Sequence, residues 1–364
     1  MEISEKRHTT NVNGTFIVWS EIGSCPSLIF IHGFQDTRRV WNKVAPLLAE
    51  DFRVIMLDLP GSGLSGRSDA SYTLSWYSRM IINWMDEFSI EHAHFCGHSF
   101  GGGIAQWMLL EDRIRINRLA LVAPGGLGRE VGMWLKSATF PVLGRVFTPL
   151  VIRYIISALM RVTPELFGNR DSKEINHLEK TKRIPGTETA FQRLLEAVIN
   201  PFGQYMQTRQ RVQEVDRLPP IALFWVENDP ILPIKHARFI LAESTGITLT
   251  IYTKCGHFPQ QVVSDALAHD LKKIFHDQYR SPASFCFKTK KYADILKLLK
   301  TKIVMVIHNI ILTVVKILEG TRKKYDVKEL KNYTIQHAGQ NRERKKIKKR
   351  LQGRRCARSD PGYC

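Results

Sequence analysis

Short apolar runs recur along the first three-quarters of the chain, separated by polar and turn-forming residues. Six of them have the length and composition of buried parallel strands: residues 28–31, 54–57, 93–96, 119–122, 221–226 and 248–252. Helix-like stretches such as residues 76–88 and 104–110 lie between several of these runs. Near the start, two β-like runs flank the Asn-Gly pair at residues 13–14, which is typical of a hairpin turn. Strands alternating with helices predict an α/β fold with a mostly parallel central sheet flanked by helices.

A long segment in the middle of the chain interrupts this alternation. From about residue 127 to residue 216 the sequence is mainly helical in character, with one helical run around residues 191–199. Strand character returns only at residue 221. We therefore predict a sheet core in two parts, residues 1–126 and 217–280, with a helical lid inserted at residues 127–216.

Beyond residue 280 the composition changes, and most of the net charge is found there. Residues 281–364 hold 22 Lys and Arg against 6 Asp and Glu, so they carry +16 of the net charge of +19. Apolar side chains from Ile295 to Ile317 recur at three- and four-residue steps, which predicts an amphipathic helix. The run at 303–318 is too short and too polar for a membrane span, and the Lys/Arg run beyond Gln340 predicts disorder.

This basic extension has three possible roles that the sequence leaves open. A basic amphipathic helix could lie on an anionic membrane surface. Nucleic acid is a less favoured partner, because aromatic side chains for base stacking are almost absent from the basic run at 342–358. A solvated extension without a binding partner fits the composition equally well.

Cysteine usage and the N-terminal sequence indicate the compartment. The six cysteines are scattered, without a C-x-x-C pair or metal-ligand spacing, so we expect reduced thiols and no metal site. The first residues are polar and lack the apolar core of a signal peptide. A cytoplasmic protein is therefore expected, with surface association to membranes through the extension as an additional possibility. The oligomeric state is not determined by these features.

The candidate chemistry begins with a serine between glycines. Residues 97–101 match G-x-S-x-G directly after the predicted strand at 93–96, and a helix-like stretch follows. A serine at such a sharp strand-to-helix turn has a strained backbone, and glycines two residues to either side allow the turn to close. We therefore predict that Ser99 is a catalytic nucleophile.

Two residues further along the chain complete the predicted catalytic set. His257 follows the last predicted strand and is the candidate base, and Asp229 follows the strand at 221–226 and is the candidate that orients this base. The chain order Ser, Asp, His distinguishes one serine-hydrolase fold from others. Parallel strands end at the same edge of a sheet, so the three side chains can meet there. Glu227 and Asp265 are less favoured alternatives for the acid.

The loop after residues 28–31 is expected to stabilise negative charge during the reaction. Gly33 allows close backbone approach, and the backbone N–H of Phe34 would join that of Phe100 to form an oxyanion hole. His32 is a tempting catalytic residue, but we expect it to form structural hydrogen bonds instead.

Five motifs together resemble those of the α/β-hydrolase fold superfamily: residues 32–34, 58–65, 97–102, Asp229 and residues 256–257. The resemblance covers roughly residues 8–280 and is closest to the branch with a serine nucleophile and a helical lid. That branch includes carboxylesterases, hydrolases of carbon–carbon bonds and peroxidase-like relatives. It implies an α/β-hydrolase fold and no metal or organic cofactor. Epoxide hydrolases and haloalkane dehalogenases of this fold use an aspartate nucleophile, so Ser99 disfavours both.

The first functional hypothesis is hydrolysis of a small to medium carboxylic ester through an acyl-enzyme. One alternative is a hydrolase of a carbon–carbon bond in a diketone-type substrate. Another is a non-catalytic, hydrolase-like binding protein, which the complete set of candidate catalytic residues disfavours. Several apolar residues of the predicted lid could line a substrate pocket but are more typical of lid core, and no role is assigned to them: Trp134, Leu135, Phe140, Leu143 and Phe147.

Overall fold

The computed structural model describes residues 5–140, 154, 156–208, 211, 218–243 and 246–276. These residues belong to the first of two compact units of the chain, Met1–Pro282. The second unit, Ala283–Cys364, lies outside the described residues, as do the amphipathic helix and the disordered run predicted for it. No helix within the described part of the chain is long and apolar enough to cross a membrane.

An eight-stranded sheet with the order β1-β2-β4-β3-β5-β6-β9-β10 forms the centre of the fold. Its strands are β1 (Lys6–Val12), β2 (Thr15–Ile22), β3 (Ser27–Ile31), β4 (Arg53–Leu57), β5 (Ala93–His98), β6 (Ile116–Val122), β9 (Ile221–Val226) and β10 (Ile247–Tyr252). Only the β1–β2 and β2–β4 pairings of this sheet are antiparallel. The six predicted apolar runs are confirmed as the strands β3, β4, β5, β6, β9 and β10. The predicted Asn-Gly hairpin joins β1 to β2.

Helices follow most of the parallel strands. The α-helices of the described residues are α1 (Ala45–Leu48), α2 (Leu74–Glu87), α3 (Phe100–Glu111), α4 (Met133–Ser137), α5 (Ile156–Val162), α6 (Ser172–Lys182), α7 (Thr187–Glu196), α8 (Lys235–Glu243), α9 (Pro259–Val262) and α10 (Ser264–Phe275). Short 3₁₀ turns occupy Arg38–Trp41, Arg113–Arg115 and Pro164–Phe167.

Both faces of the sheet are buried, and alternate side chains of a strand enter different cores. In β3 and β4 one core receives Ile29, Ile31, Ile55 and Leu57. The other core receives Leu28, Phe30, Val54 and Met56. Trp84 of α2 and Met108 of α3 cover the first face, and Leu48 of α1 and Leu271 of α10 cover the second. A parallel sheet with helices on both faces is the predicted fold class, which is thereby confirmed.

The segment between β6 and β9, here called the β6–β9 segment, contains the helices α4 to α7 in its described part. It also contains a two-stranded hairpin that the sequence did not predict, β7 (Ile199–Asn200) paired with β8 (Gly203–Gln204). The predicted helical run at 191–199 was therefore wrong at its C-terminal end. The helix α7 stops at Glu196, and Ile199 enters the hairpin because its backbone pairs with Gln204.

Lys182 ends helix α6 with a buried ammonium group. The residue is only 3% exposed, and no described residue forms a hydrogen bond with its Nζ. Burial, assisted by the positive charge of Arg170, lowers the pKa of Lys182 to about 8. Below about pH 8 Lys182 is therefore protonated in the folded chain, at a cost in free energy that the unfolded chain does not have.

Lys182→Met is expected to stabilise the protein at pH 7. A pKa lowered from 10.5 to about 8 corresponds to up to about 3 kcal/mol of unfavourable free energy for the charged form. In the unfolded chain the lysine keeps its proton between these two values, so the wild type gains stability as the pH rises through this interval. The gain in melting temperature caused by the substitution should be largest at pH 7 and shrink towards pH 10.

Lys180→Met is the matched control, because Lys180 is exposed on the same helix. It should change the melting temperature little at either pH. A gain from Lys182→Met that stayed constant between pH 7 and pH 10 would show that no buried ammonium is being removed.

Candidate active site

Ser99 lies at the turn between strand β5 and helix α3, near the centre of the sheet. Its backbone has φ 52° and ψ −115°, an uncommon conformation for a residue with a side chain. Three hydrogen bonds hold this backbone: the Ser99 N–H donates to Val122 O at 3.0 Å, and the carbonyl accepts from Gly103 N at 3.2 Å and Gly125 N at 2.9 Å. The surrounding structure therefore maintains the strained turn.

Glycine is required beside this turn because other backbone atoms fill the space. A Cβ on Gly97 would lie 2.6 Å from the carbonyl oxygen of Gly101, and one on Gly101 would lie 2.4 Å from that of Ile31. A Cβ on Gly33 would lie 3.0 Å from the Cβ of Ser99. The loop after β3 thus reaches the serine directly, as expected from residues 32–34.

His257 and Asp229 are brought together at the same edge of the sheet. The His257 Nδ1–H donates to Asp229 Oδ2 at 2.7 Å, and the two side chains are 3% and 0% exposed. The other carboxylate oxygen, Oδ1, accepts the N–H groups of Ile231 at 2.8 Å and Leu232 at 2.9 Å. The carboxylate is therefore fixed, and Nε2 of His257 is left as the basic nitrogen.

Nε2 of His257 is buried and has no hydrogen-bond partner among the described residues. The hydroxyl of Ser99 therefore does not form a hydrogen bond with it in this structure. Ser99 and His257 nevertheless line the same cavity. Bonds between a nucleophile and its base are often long or poorly aligned until a substrate is bound.

His98 packs beside His257 and is held neutral. Burial lowers the pKa of His98 well below its ordinary value, and the adjacent His257 adds to this effect. Its Nε2–H donates to the backbone carbonyl of His257 at 2.8 Å, and the two rings are 4.8 Å apart. Sequence reasoning did not assign this residue a role, because nothing in residues 97–101 indicates that the side chain turns towards residue 257.

Phe34 and Phe100, the two residues predicted to donate backbone N–H groups, lie side by side. Their rings stack with centroids 4.6 Å apart. Phe100 is the first residue of α3, where a helix offers its N–H group no internal acceptor. The positive end of the helix dipole is directed to the same point.

His32 has the structural role expected for it. Its Nδ1–H donates to Gly33 O at 2.8 Å, and its Nε2 accepts the N–H of Leu59 at 3.0 Å. Burial lowers the pKa of His32, which favours this neutral form. The ring thus ties the loop after β3 to the loop after β4.

Two cavities within the described residues touch Ser99. One, here called the apolar arm, is lined by residues that include Leu74, Val131, Leu135, Val198, Ile199 and Met206. The other is here called the polar arm because charged and imidazole side chains share its lining with apolar ones. Its lining includes Gln35, Asp36, His98, Trp134, Arg170 and His257 together with Ile156, Met160 and Phe258. Both cavities therefore offer mainly apolar surface next to the serine, and the second also brings His257 to it.

The pocket residues considered from the sequence have different positions. Leu135 lines both arms and Trp134 lines the polar arm. Phe140 is 48% exposed and lines neither. Leu143 and Phe147 lie outside the described residues. Arg170 also lines the polar arm, and the sequence analysis did not predict it. Its partner Asp36 is 134 residues earlier in the chain, and no local motif indicates a contact over that separation.

Comparison with known proteins places this geometry in context. A model of the alpha/beta hydrolase fold family matches residues 26–262. An uncharacterized protein of Mycobacterium tuberculosis strain H37Rv is 29% identical over 279 residues, which are 75% of this chain and 76% of that protein. A pimeloyl-(acyl-carrier protein) methyl ester esterase of Nitrosomonas europaea is 28% identical over 263 residues, covering 67% of this chain and 96% of the relative.

A solved structure gives the same architecture. The 2-hydroxy-6-oxo-6-phenylhexa-2,4-dienoate hydrolase from Rhodococcus sp. strain RHA1 matches with a TM-score of 0.61 and 18% identity, covering 75% of this chain and 99% of that one. At this identity the likeness concerns the fold alone. Taken with the family match, these comparisons support hydrolysis as the general class of activity.

Two glycines of α3 provide a test of the crowding beneath Ser99. Gly101→Ala should destabilise the protein by about 1–3 kcal/mol or more, because its Cβ would overlap the backbone oxygens of Ile31 and His32. Gly103→Ala should be neutral or stabilising by up to about 1 kcal/mol, because the nearest atom to its Cβ would be Leu74 Cδ2 at 3.6 Å, an ordinary contact, and alanine favours helix. Thermal unfolding of both variants measures this contrast. Equal melting temperatures would contradict the close approach of β3 to the turn.

Proposed function

Because this chain belongs to the α/β-hydrolase fold family, we propose that it is a serine hydrolase of small to medium carboxylic esters. In this proposal Ser99 is the nucleophile, His257 is the general base and acid, and Asp229 orients His257. The backbone N–H groups of Phe34 and Phe100 form the oxyanion hole.

One observation carries the proposal: the carboxylate of Asp229 fixes the tautomer of an imidazole in the cavity that also contains Ser99. The 2.7 Å bond places the proton of His257 on Nδ1 and leaves Nε2 free to accept a proton. A buried Nε2 on an imidazole oriented by a carboxylate, in the same cavity as a strained serine, favours catalysis over a binding-only role.

The reaction would proceed by acyl transfer. Nε2 of His257 removes the proton from Ser99 as the serine oxygen attacks the ester carbonyl, and the negative oxygen of the tetrahedral intermediate accepts the two backbone N–H bonds. The C–O bond to the alcohol breaks, and His257 returns the proton to the departing oxygen. Water, deprotonated by the same Nε2, then attacks the acyl carbon. The bond between this carbon and Ser99 Oγ breaks, His257 returns the proton to Oγ, and the carboxylic acid leaves.

The two arms suggest how the substrate is held. The apolar arm, lined by residues such as Leu74 and Met206, suits an aliphatic or aromatic group of modest size. The polar arm, which contains His257, suits the attacking water and the remaining part of the ester. The β6–β9 segment supplies Val131, Leu135 and Met206 to these walls, so it would act as the predicted lid.

Carbon–carbon bond hydrolysis is the second candidate, favoured by the fold likeness to a dienoate hydrolase. The same nucleophile, base and oxyanion donors would serve it, but the reaction also needs a proton delivered to carbon. A panel of p-nitrophenyl esters and vinylogous diketones separates the two. Turnover of the diketones alone would replace the ester proposal with this one.

Ser99→Ala should reduce turnover of p-nitrophenyl butyrate by at least about 10³-fold and abolish covalent labelling by a fluorophosphonate probe. The substitution removes the attacking oxygen and leaves the fold, so the melting temperature should change little. Ser24→Ala is the matched control, because Ser24 is exposed in the turn before β3, at the opposite edge of the sheet. Activity retained in Ser99→Ala, or a wild type that takes up no label, would refute the assignment.

Asp229→Asn should lower turnover by about 10²–10⁴-fold with little change in KM, because an amide no longer holds the imidazole in the required tautomer. Glu227→Gln removes the alternative acid two residues earlier and should leave turnover within about threefold of the wild type. Steady-state kinetics on both variants decide which carboxylate orients His257. The reverse pattern would transfer the role to Glu227.

A further inference from the structure

A buried ion pair connects the β6–β9 segment to the loop that carries Phe34. Arg170 Nη1 donates to Asp36 Oδ1 at 2.9 Å and Nη2 donates to Oδ2 at 2.5 Å, and the side chains are 1% and 3% exposed. The remaining guanidinium nitrogen, Nε, donates to Phe167 O at 3.1 Å. Every nitrogen of the fork is therefore bonded, which orients the arginine in a way that a lysine cannot reproduce.

Asp36 anchors the loop after β3 through its carboxylate. It lies two residues after Phe34, and its Oδ1 also accepts the N–H of Thr37 at 2.8 Å. Burial alone would raise the pKa of Asp36, but Arg170 more than offsets this and the pKa is lowered, so the carboxylate stays ionised. Arg170 therefore holds a carboxylate that lies within two residues of the Phe34 amide on the same loop.

The same guanidinium contacts the loop that carries His257. It lies over the ring of Phe258, the next residue, at 4.9 Å from the ring centre. Gly168 brings the backbone of the β6–β9 segment against this ring, because a Cβ there would lie 2.9 Å from the Cβ of Phe258. The ring of Phe258 also packs against His98 at 5.1 Å. One side chain thus touches the supports of both the Phe34 amide and the His257 imidazole.

Stability alone is a weak explanation for such a pair. Taking two charges out of water costs about as much as their attraction returns, and apolar residues of similar volume often stabilise a protein as well or better. The geometry of an ion pair, by contrast, restricts the groups on either side to one arrangement. Arg170 and Asp36 line the polar arm beside Ser99, where such a restriction affects the reacting groups.

We propose that Arg170 is a positioning residue that, through Asp36 and Phe258, sets the distance between the Phe34 amide and the His257 imidazole. The β6–β9 segment then does more than cover the cavity, because a movement of that segment would displace both groups. This inference rests on the proposed serine-hydrolase function.

The test compares two variants that differ in what they keep. Asp36→Asn combined with Arg170→Met removes both charges and avoids a buried unpaired ion. Arg170→Lys keeps the charge but loses the two-nitrogen fork. Both should lower kcat for p-nitrophenyl butyrate by about 10–100-fold and slow fluorophosphonate labelling similarly, because small displacements of reacting groups are costly. KM should change by less than about threefold.

A second ion pair of the same segment provides the matched control. Arg39 Nε donates to Glu174 Oε2 at 2.9 Å, joining helix α6 to the 3₁₀ turn that follows Asp36. The hydrogen bond of this pair involves neither Phe34 nor Phe258. Arg39→Met combined with Glu174→Gln should keep kcat within about twofold of the wild type, at whatever melting temperature results.

The outcomes separate the two proposals. An unchanged kcat in a folded Arg170 variant overturns the positioning role. The role is also overturned if the Arg170 and Arg39 ion-pair variants both lose kcat in proportion to their loss of melting temperature. In either case an active, labelled wild type leaves the proposed function intact. A wild type that neither hydrolyses the ester nor reacts with the probe overturns both. Millimolar guanidinium should partly restore kcat in Arg170→Ala and not in Ser99→Ala.

Discussion

The close approach of the β3 loop to the turn after β5 is the constraint on which the site depends. Ser99 can hold its strained backbone, with φ 52°, only because the segments around it contain no side-chain atoms at positions 33, 97 and 101. That approach aligns the start of α3 with the loop containing Phe34. Sheet geometry then places Asp229 and His257 at the same edge, because their loops follow neighbouring parallel strands.

Protonation states in the site complement this geometry. His98 is buried and neutral, and it donates to the backbone carbonyl of His257. A charged imidazole at that distance would oppose the positive charge that His257 acquires during the proposed reaction. His32 is neutral for the same reason of burial. Arg170 also lies in the polar arm, and the negative charge of Asp36 neutralises its positive charge through two parallel hydrogen bonds. The pair therefore adds no net charge beside His257.

Much of the fold was predictable because its signals are local. The Asn-Gly hairpin, the six apolar strands and the G-x-S-x-G turn each depend on residues within a few positions of one another, and the structure has them where the sequence indicated. The hairpin at Ile199 was missed because its two-residue strands are too short to produce a period. Arg170 was missed because its contacts with Asp36 and Phe258 join distant parts of the chain, for which one sequence gives no signal. The predicted roles of Ser99, Asp229 and His257 remain part of the proposal.

The decisive measurement is a crystal structure of the protein after reaction with a fluorophosphonate, because the phosphonyl group imitates the tetrahedral intermediate. Phosphorus should be bonded to Ser99 Oγ, with one phosphonyl oxygen about 2.7–3.1 Å from the backbone nitrogens of Phe34 and Phe100. His257 Nε2 should then lie within hydrogen-bond distance of an oxygen on the phosphorus. An adduct on any other residue, or a phosphonyl oxygen directed away from both amides, would refute the proposed roles of these residues.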